Sequence, residues 1–281
     1  MFENILVPMD GSADSWASLD LAIELAKKRD RVIHGLYVID IRLTDAPYST
    51  TWYGNNYDYT DSATIESALE FGRELGEKGQ KILAQLVEKC DEAGVQSQTE
   101  SVNGIISQVI LDRAKKSDLI VMGHYGEGAR WSGPLLGSNF EAVVRYSTVP
   151  IWVSQAEVRP TTHLLVAFDG SDRARDSLEI AADIAADDNL PITLLTVDDG
   201  HPGRHQAYQE AEHWLGQKNL EVTPLFWKGH PAEEIIRAAR VEGCDLIVMG
   251  GYGHSHFIEI FFGSTVDDVM RVSTCPLLIC R

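Results

Sequence analysis

Cysteine is scarce in this chain. Cys90, Cys244, Cys275 and Cys280 fall at scattered spacings with no C-x-x-C pair, which argues against a disulfide scaffold and the common zinc frameworks. Three of the four sit inside apolar runs, so buried, reduced thiols are expected. Long apolar runs are missing too: none reaches the roughly 18 residues that would span a bilayer. Basic charge is the third shortage. Lys and Arg number 24 against 42 Asp and Glu, a net charge of −18, and such a chain is repelled by nucleic-acid phosphates and anionic lipid alike. Neither nucleic acid nor membrane is an expected partner. The opening MFENILVPMDG carries an acidic residue early and enters a short apolar strand without the charged and apolar regions of a signal peptide. A cytoplasmic location is the expectation.

At 281 residues the chain exceeds the usual size of one domain, roughly 100–200 residues. Comparing the chain with itself explains why. ILVPMDGS at 5–12 returns as LLVAFDGS at 164–171, an offset of 159, and GLYVID ending at Asp40 returns as LLTVDD ending at Asp199. SDLIVMGHYG at 117–126 returns as CDLIVMGGYG at 244–253, eight of ten positions identical, at an offset of 127. The first copy therefore carries 159 − 127 = 32 extra residues between these blocks. STVPIWV (147–153) answers STCPLLI (273–279). The chain reads as a tandem duplication, with domains expected at 1–157, carrying an insertion at about 41–66, and at 158–281.

Short apolar runs alternate with segments of helical period in each copy. In the second, HLLVAF, PITLLTV, VTPLFW, DLIVMG and PLLIC are strand-like, separated by helical stretches such as SLEIAADIAA and AEEIIRAARV. The order β-α-β-α-β-α-β-α-β predicts a parallel sheet covered on both faces, hence α/β, with two tandem doubly wound five-stranded domains. Ligands of such sheets lie beyond the carboxyl ends of the strands, where strand order reverses. The loops after strands one, two and four are the ones that matter.

After strand one both copies present Asp-Gly-Ser, at Asp10–Ser12 and Asp169–Ser171. A carboxylate there can accept from a ribose hydroxyl or hold a phosphate-bound magnesium; it is equally explained as a turn leading to a helix cap. A G-x-G-x-x-G dinucleotide fingerprint is absent from that turn, and no G-K-[ST] follows the later glycines. After strand four come Gly250 and Gly253, then nine residues, then Gly263 and Ser264. Glycines let backbone approach an anion, and the N–H groups that open the next helix would point at it; turn formation is the alternative.

G-x2-G-x9-G-S after DLIVMG, with D-G-S at the first turn and a final C-P-hydrophobic strand, resembles the ATP-binding branch of the universal stress protein family. The resemblance covers the whole chain as two tandem domains and implies the fold shared with adenine nucleotide alpha hydrolases. It implies adenine near the backbone of strand two at Val197, and ribose and magnesium near Asp169. Phosphates would lie on Gly253, His254, Gly263, Ser264 and Thr265, with Ala167, Met249 and Gly250 lining the site. In the first copy ten residues, not nine, precede Gly137 and Ser138. Its candidates by the same carry-over are Pro8, Asp10, Val38, Met122, Gly123, Gly126, Gly137, Ser138 and Asn139, and tighter binding is expected at the second copy, whose spacing fits the motif. The last strands imply that the two copies pair within the chain; a homodimer is a further expectation.

His230, His254 and His256 do not form a metal-ligand set, and His201 and His205 read as loop histidines. The segment PYSTTWYGNNYDYT (47–60) gathers aromatic residues within the insertion, as a lid, a contact surface or a docked extension. No Lys or Arg is expected at the phosphates, so ATP binding, with magnesium, in a stress or signalling role is expected rather than catalysis. Slow ATP hydrolysis, with Asp169 positioning magnesium or water, and a non-nucleotide scaffold are the alternatives.

Overall fold

A computed structural model of the chain describes residues 2–28, 30–44, 62–126, 137–155, 158–251 and 264–281. The first half runs β1 (Asn4–Met9), α1 (Ala13–Lys27), β2 (Val32–Asp40), α2 (Ile41–Thr44), α3 (Ser62–Ala93), β3 (Gln96–Gly104), α4 (Ile106–Ala114), β4 (Leu119–Gly123), α5 (Ser138–Tyr146) and β5 (Ile151–Ser154). The second runs β6 (Leu164–Ala167), α6 (Asp172–Asp188), β7 (Ile192–Asp198), α7 (Arg204–Gly216), β8 (Val222–Lys228), α8 (Pro231–Glu242), β9 (Leu246–Gly250), α9 (Ser264–Val272) and β10 (Leu277–Cys280). The insertion expected at about 41–66 is partly helical: it contributes α2 and lengthens α3 to 32 residues, against 13 in its counterpart α7. The aromatic segment 47–60 lies outside the described residues.

All the strands join one ten-stranded sheet, in the order β3-β2-β1-β4-β5-β10-β9-β6-β7-β8. Each half is parallel, and order reverses between its first and fourth strands. The seam between halves is the antiparallel pair β5–β10, with Trp152 opposite Leu278. Two would-be edges thereby cover each other, leaving β3 and β8 outermost. Edges need blunting against further pairing. β3 is mostly polar, QSQTESVNG, and β8 carries Pro224, which cannot donate to a ladder.

The near-continuous apolar strands follow from burial on both faces. Ile5, Val7 and Met9 of β1 face one apolar core, and Leu6 between them faces the other. Leu119 and Ile120 of β4, like Leu246 and Ile247 of β9, are fully buried. Each such side chain contributes roughly 1.5–3 kcal/mol of transfer free energy, so the sheet centre dominates the fold.

The repeat extends to single hydrogen bonds. Asp118 accepts from the backbone N–H of Glu3 and Asn4, and Asp245 does the same for Thr162 and His163. Ser147 and Ser273 each make the same bonded turn two residues before the last strand's proline neighbour. The thiols are free, as expected; burial pushes Cys244 up to about 11 and Cys280 higher still.

Candidate functional site

Both halves place their first-strand aspartate at a turn that the sequence dictates. Gly11 (φ 86°) and Gly170 (φ 80°) take the left-handed conformation, which glycine adopts without steric cost. Ser12 and Ser171 then cap α1 and α6 by accepting from the amides of Ser15 and Ala174. The aspartates turn back on their own caps: the Asp10 carboxylate accepts from Ser12 N–H, and that of Asp169 from Ser171 N–H and Oγ–H. Capping is therefore part of the role of D-G-S.

The carboxyl ends of β1, β2 and β4 enclose a cavity of about 500 Å³. All the first-half candidates line it: Pro8, Asp10, Val38, Met122, Gly123, Gly126, Gly137, Ser138 and Asn139. Leu36, Ile106 and Ile110 supply apolar wall, and no Lys or Arg is among its described lining residues. Close packing explains the glycines. A Cβ on Gly126 would stand 2.8 Å from Asp10 Oδ2, and one on Gly123 would stand 2.5 Å from Asp14 Cβ. Asp14, on the first turn of α1, accepts from Tyr125 N–H at 3.0 Å and so ties the loop after β4 to the helix. Burial pushes its carboxyl above the ordinary value, the Tyr125 amide opposes this, and neighbouring Asp10 adds to the rise.

His124 is a wall residue that sequence reading passed over. It is buried beside Phe140, ring centroids 5.2 Å apart, with Nε2 lacking a hydrogen-bond partner among the described residues. Burial brings its pKa down to about 4, so the ring is neutral near pH 7. The signal was present in the repeat, since Gly251 stands at the matching position, 124 + 127.

The matching cavity of the second half measures about 190 Å³. Ala167, Asp169, Val197, Met249, Gly250 and Thr265 line it, and Ser264 opens α9 beside it. Gly253, His254 and Gly263, like His256, lie outside the described residues. Gly250 is required by packing: a Cβ there would sit 2.9 Å from the Ala174 backbone nitrogen.

Contrary to the expectation that no Lys or Arg approaches this site, Arg204 enters the second cavity. Its Nε and Nη2 donate to the two Asp199 oxygens at 3.1 and 2.9 Å. Nη1 donates to the Asp169 carbonyl and lies 3.4 Å from its carboxylate. The guanidinium holds Asp199 down at about 2, and its own pKa rises. The turn D-D-G-H-P-G-R brings it there, with Gly200 (φ 85°) and Gly203 (φ 90°) reversing the chain. That glycine-proline turn directly after a strand-end aspartate is readable in the sequence; the first copy's insertion at this place removed the counterpart that would have drawn attention to it.

Among the described residues no group of three or more His, Cys, Asp and Glu side chains could hold a metal. His201 Nδ1 contacts the Pro202 carbonyl, and His205 stacks on Tyr208 and meets Phe226 edge to face. A magnesium ion at Asp169 would need ligand oxygens beside it and would compete with Arg204. Nor is any described helix long and apolar enough to cross a membrane.

Fold and cavities together define a tandem doubly wound α/β protein with a ligand-sized opening at the switch point of its first half. The model of the universal stress protein family matches residues 1–155 and again 160–281. The chain belongs to the universal stress protein family. It is 28% identical over 286 residues to a universal stress protein of Synechocystis, covering 99% of this chain and all of the relative. A universal stress protein of Mycolicibacterium smegmatis is 25% identical over 297 residues, covering 99% of this chain and 96% of its own. The crystal structure of a universal stress protein from Archaeoglobus fulgidus superposes with a TM-score of 0.79 at 24% identity, covering 99% and 98% of the two chains.

Proposed function

We propose that this protein binds an adenine nucleotide, ATP with magnesium, in its first half, and serves as a nucleotide-responsive stress or signalling protein rather than a dedicated catalyst. One observation carries the reading: the candidate residues from three strand ends and from the N-terminus of α5 line a single cavity of about 500 Å³. Small-molecule sites are typically about 300–1,000 Å³, and switch points are where such sheets take ligands. Apolar residues Leu36, Val38 and Met122 suit a base, Asp10 suits a ribose hydroxyl or a magnesium ion, and the amides at Gly137–Asn139 suit phosphate. Asp10 at the end of β1 suits a nucleotide whose charge is carried by magnesium. The cavity sizes favour the first half over the second, whereas the glycine spacing favours the second.

Calorimetry with Mg·ATP tests this. The wild type is expected to bind saturably, and Gly137→Val to lose about tenfold or more in affinity. Gly137 has an ordinary φ of −64°, and among the described residues an added Cβ would meet the His124 carbonyl at 3.4 Å and Phe140 Cβ at 3.9 Å, so the variant should fold. Absence of any nucleotide affinity in the wild type would overturn the proposal, and release of ADP at a steady rate would favour the hydrolytic alternative.

A further inference from the structure

We infer that Arg204 is an internal occupant of the second-half cavity that shuts it against nucleotide-sized ligands, and that its removal opens a second site. The inference rests on the reading of the first cavity as a nucleotide site. Arg204 is held from both ends. At the backbone it is the first residue of α7, placed by Gly203 in the left-handed conformation. At the guanidinium it bonds both Asp199 oxygens and the Asp169 carbonyl, with the Asp169 carboxylate 3.4 Å away. Only 16% of its side chain is exposed, so it lies within the mouth rather than over it. A bidentate arginine–carboxylate pair is directional and strong for its kind. A ribose or a magnesium ion that needs Asp169 must displace it.

The first half shows the alternative arrangement. Asp40, which aligns with Asp199, also pairs with an arginine, but that arginine is Arg42 on α2, two residues along the chain. Neither lines the first cavity. α3 packs Ile82 on Gly11 where α7 packs Ala207 on Gly170. The first cavity, with no arginine among its described lining residues, measures about 500 Å³, and the second, with Arg204 in its wall, about 190 Å³. The second value falls below the range of about 300–1,000 Å³ usual for small-molecule sites.

Mg·ATP calorimetry on the full chain tests the latch. Wild type should bind one equivalent and Arg204→Ala two. Against a Gly137→Val background, which weakens the first site, Arg204→Ala should restore saturable binding by about tenfold or more over Gly137→Val alone. Asp199→Asn, which releases the guanidinium without removing it, should move stoichiometry the same way. Arg204→Met keeps the aliphatic stem and serves if the alanine variant does not fold by circular dichroism. Two equivalents in the wild type would overturn the latch, as would one equivalent in all the folded Arg204 and Asp199 variants. Weaker second-site binding on losing Arg204 would also overturn it, making the arginine a ligand contact instead. A wild type without nucleotide affinity defeats the functional proposal alone; the latch then stands if Arg204→Ala gains binding and falls if it does not.

Discussion

The halves of this chain share their core and differ at their sites. Leu119 and Leu246 hold the same place in β4 and β9, both fully buried. At the loops the likeness stops: position 14 is Asp, tying down Tyr125, where its counterpart is Arg173, and position 124 is a buried histidine where its counterpart is Gly251. Arg204 has no equivalent among the described lining residues of the first cavity. Packing tolerates little change of volume, whereas a loop at a strand end changes by one side chain at small cost to the fold. Duplication followed by divergence at such loops leaves two differently lined openings on one frame.

The largest expected effect tests the shared part. Leu119→Ala and Leu246→Ala should each cost about 2–5 kcal/mol in denaturant unfolding, and the two losses should lie close together. A large loss in one with little in the other would break the equivalence of the cores and mark one half as dispensable to the cooperative unit.

Next comes a test of the divergent part. The unfolded chain takes up a proton on histidine near pH 6.5, but His124 in the fold resists protonation until about 4. A depressed histidine pKa means that the unfolded state binds more protons between these values, so stability is full above about 6.5 and declines as pH falls towards 4. The loss is of order 1–3 kcal/mol, and His124→Leu should flatten that limb. Gly251 offers nothing to titrate, so the second half should contribute no such limb from this position. Thermal midpoints between pH 7 and 4 for both proteins provide the check; identical slopes would remove His124 as the cause.

Much of this was legible in the sequence for a physical reason. Period-two burial on both faces of a sheet forces strands such as LIVMG to be apolar throughout, and identical blocks at fixed offsets fold identically; hence the element order and the doubly wound halves could be read before any coordinates, while the first-half lining residues came from the family resemblance. What escaped depended on pairing across distance. Arg204 reads as an ordinary surface residue until a turn of glycines folds it back five positions onto Asp199. The seam between Trp152 and Leu278 was suggested only by the closing strands, and the lengthening of α3 was hidden in an insertion without a partner copy. His124 became visible only as a difference between repeats, and burial, not sequence, makes it neutral.

The smallest effect concerns how the halves are held to each other. Lys28 Nζ lies 2.6 Å from Asp188 Oδ2, joining the end of α1 to the end of α6 across the seam. Half of the lysine side chain is exposed, and 27% of the aspartate's. Solvent screens such a pair, and ordering two flexible side chains offsets part of the attraction, so exposed ion pairs contribute about 0.2–1 kcal/mol. Beneath it, β5 and β10 bury Ile151, Trp152, Val153, Leu277, Leu278 and Ile279 almost completely. Apolar area of that extent outweighs one screened pair several-fold. Lys28→Ala should therefore change stability by less than about 1 kcal/mol, and that change should shrink further in high salt. A larger, salt-insensitive loss in chemical denaturation would move the weight of the junction from the strands to the helix ends.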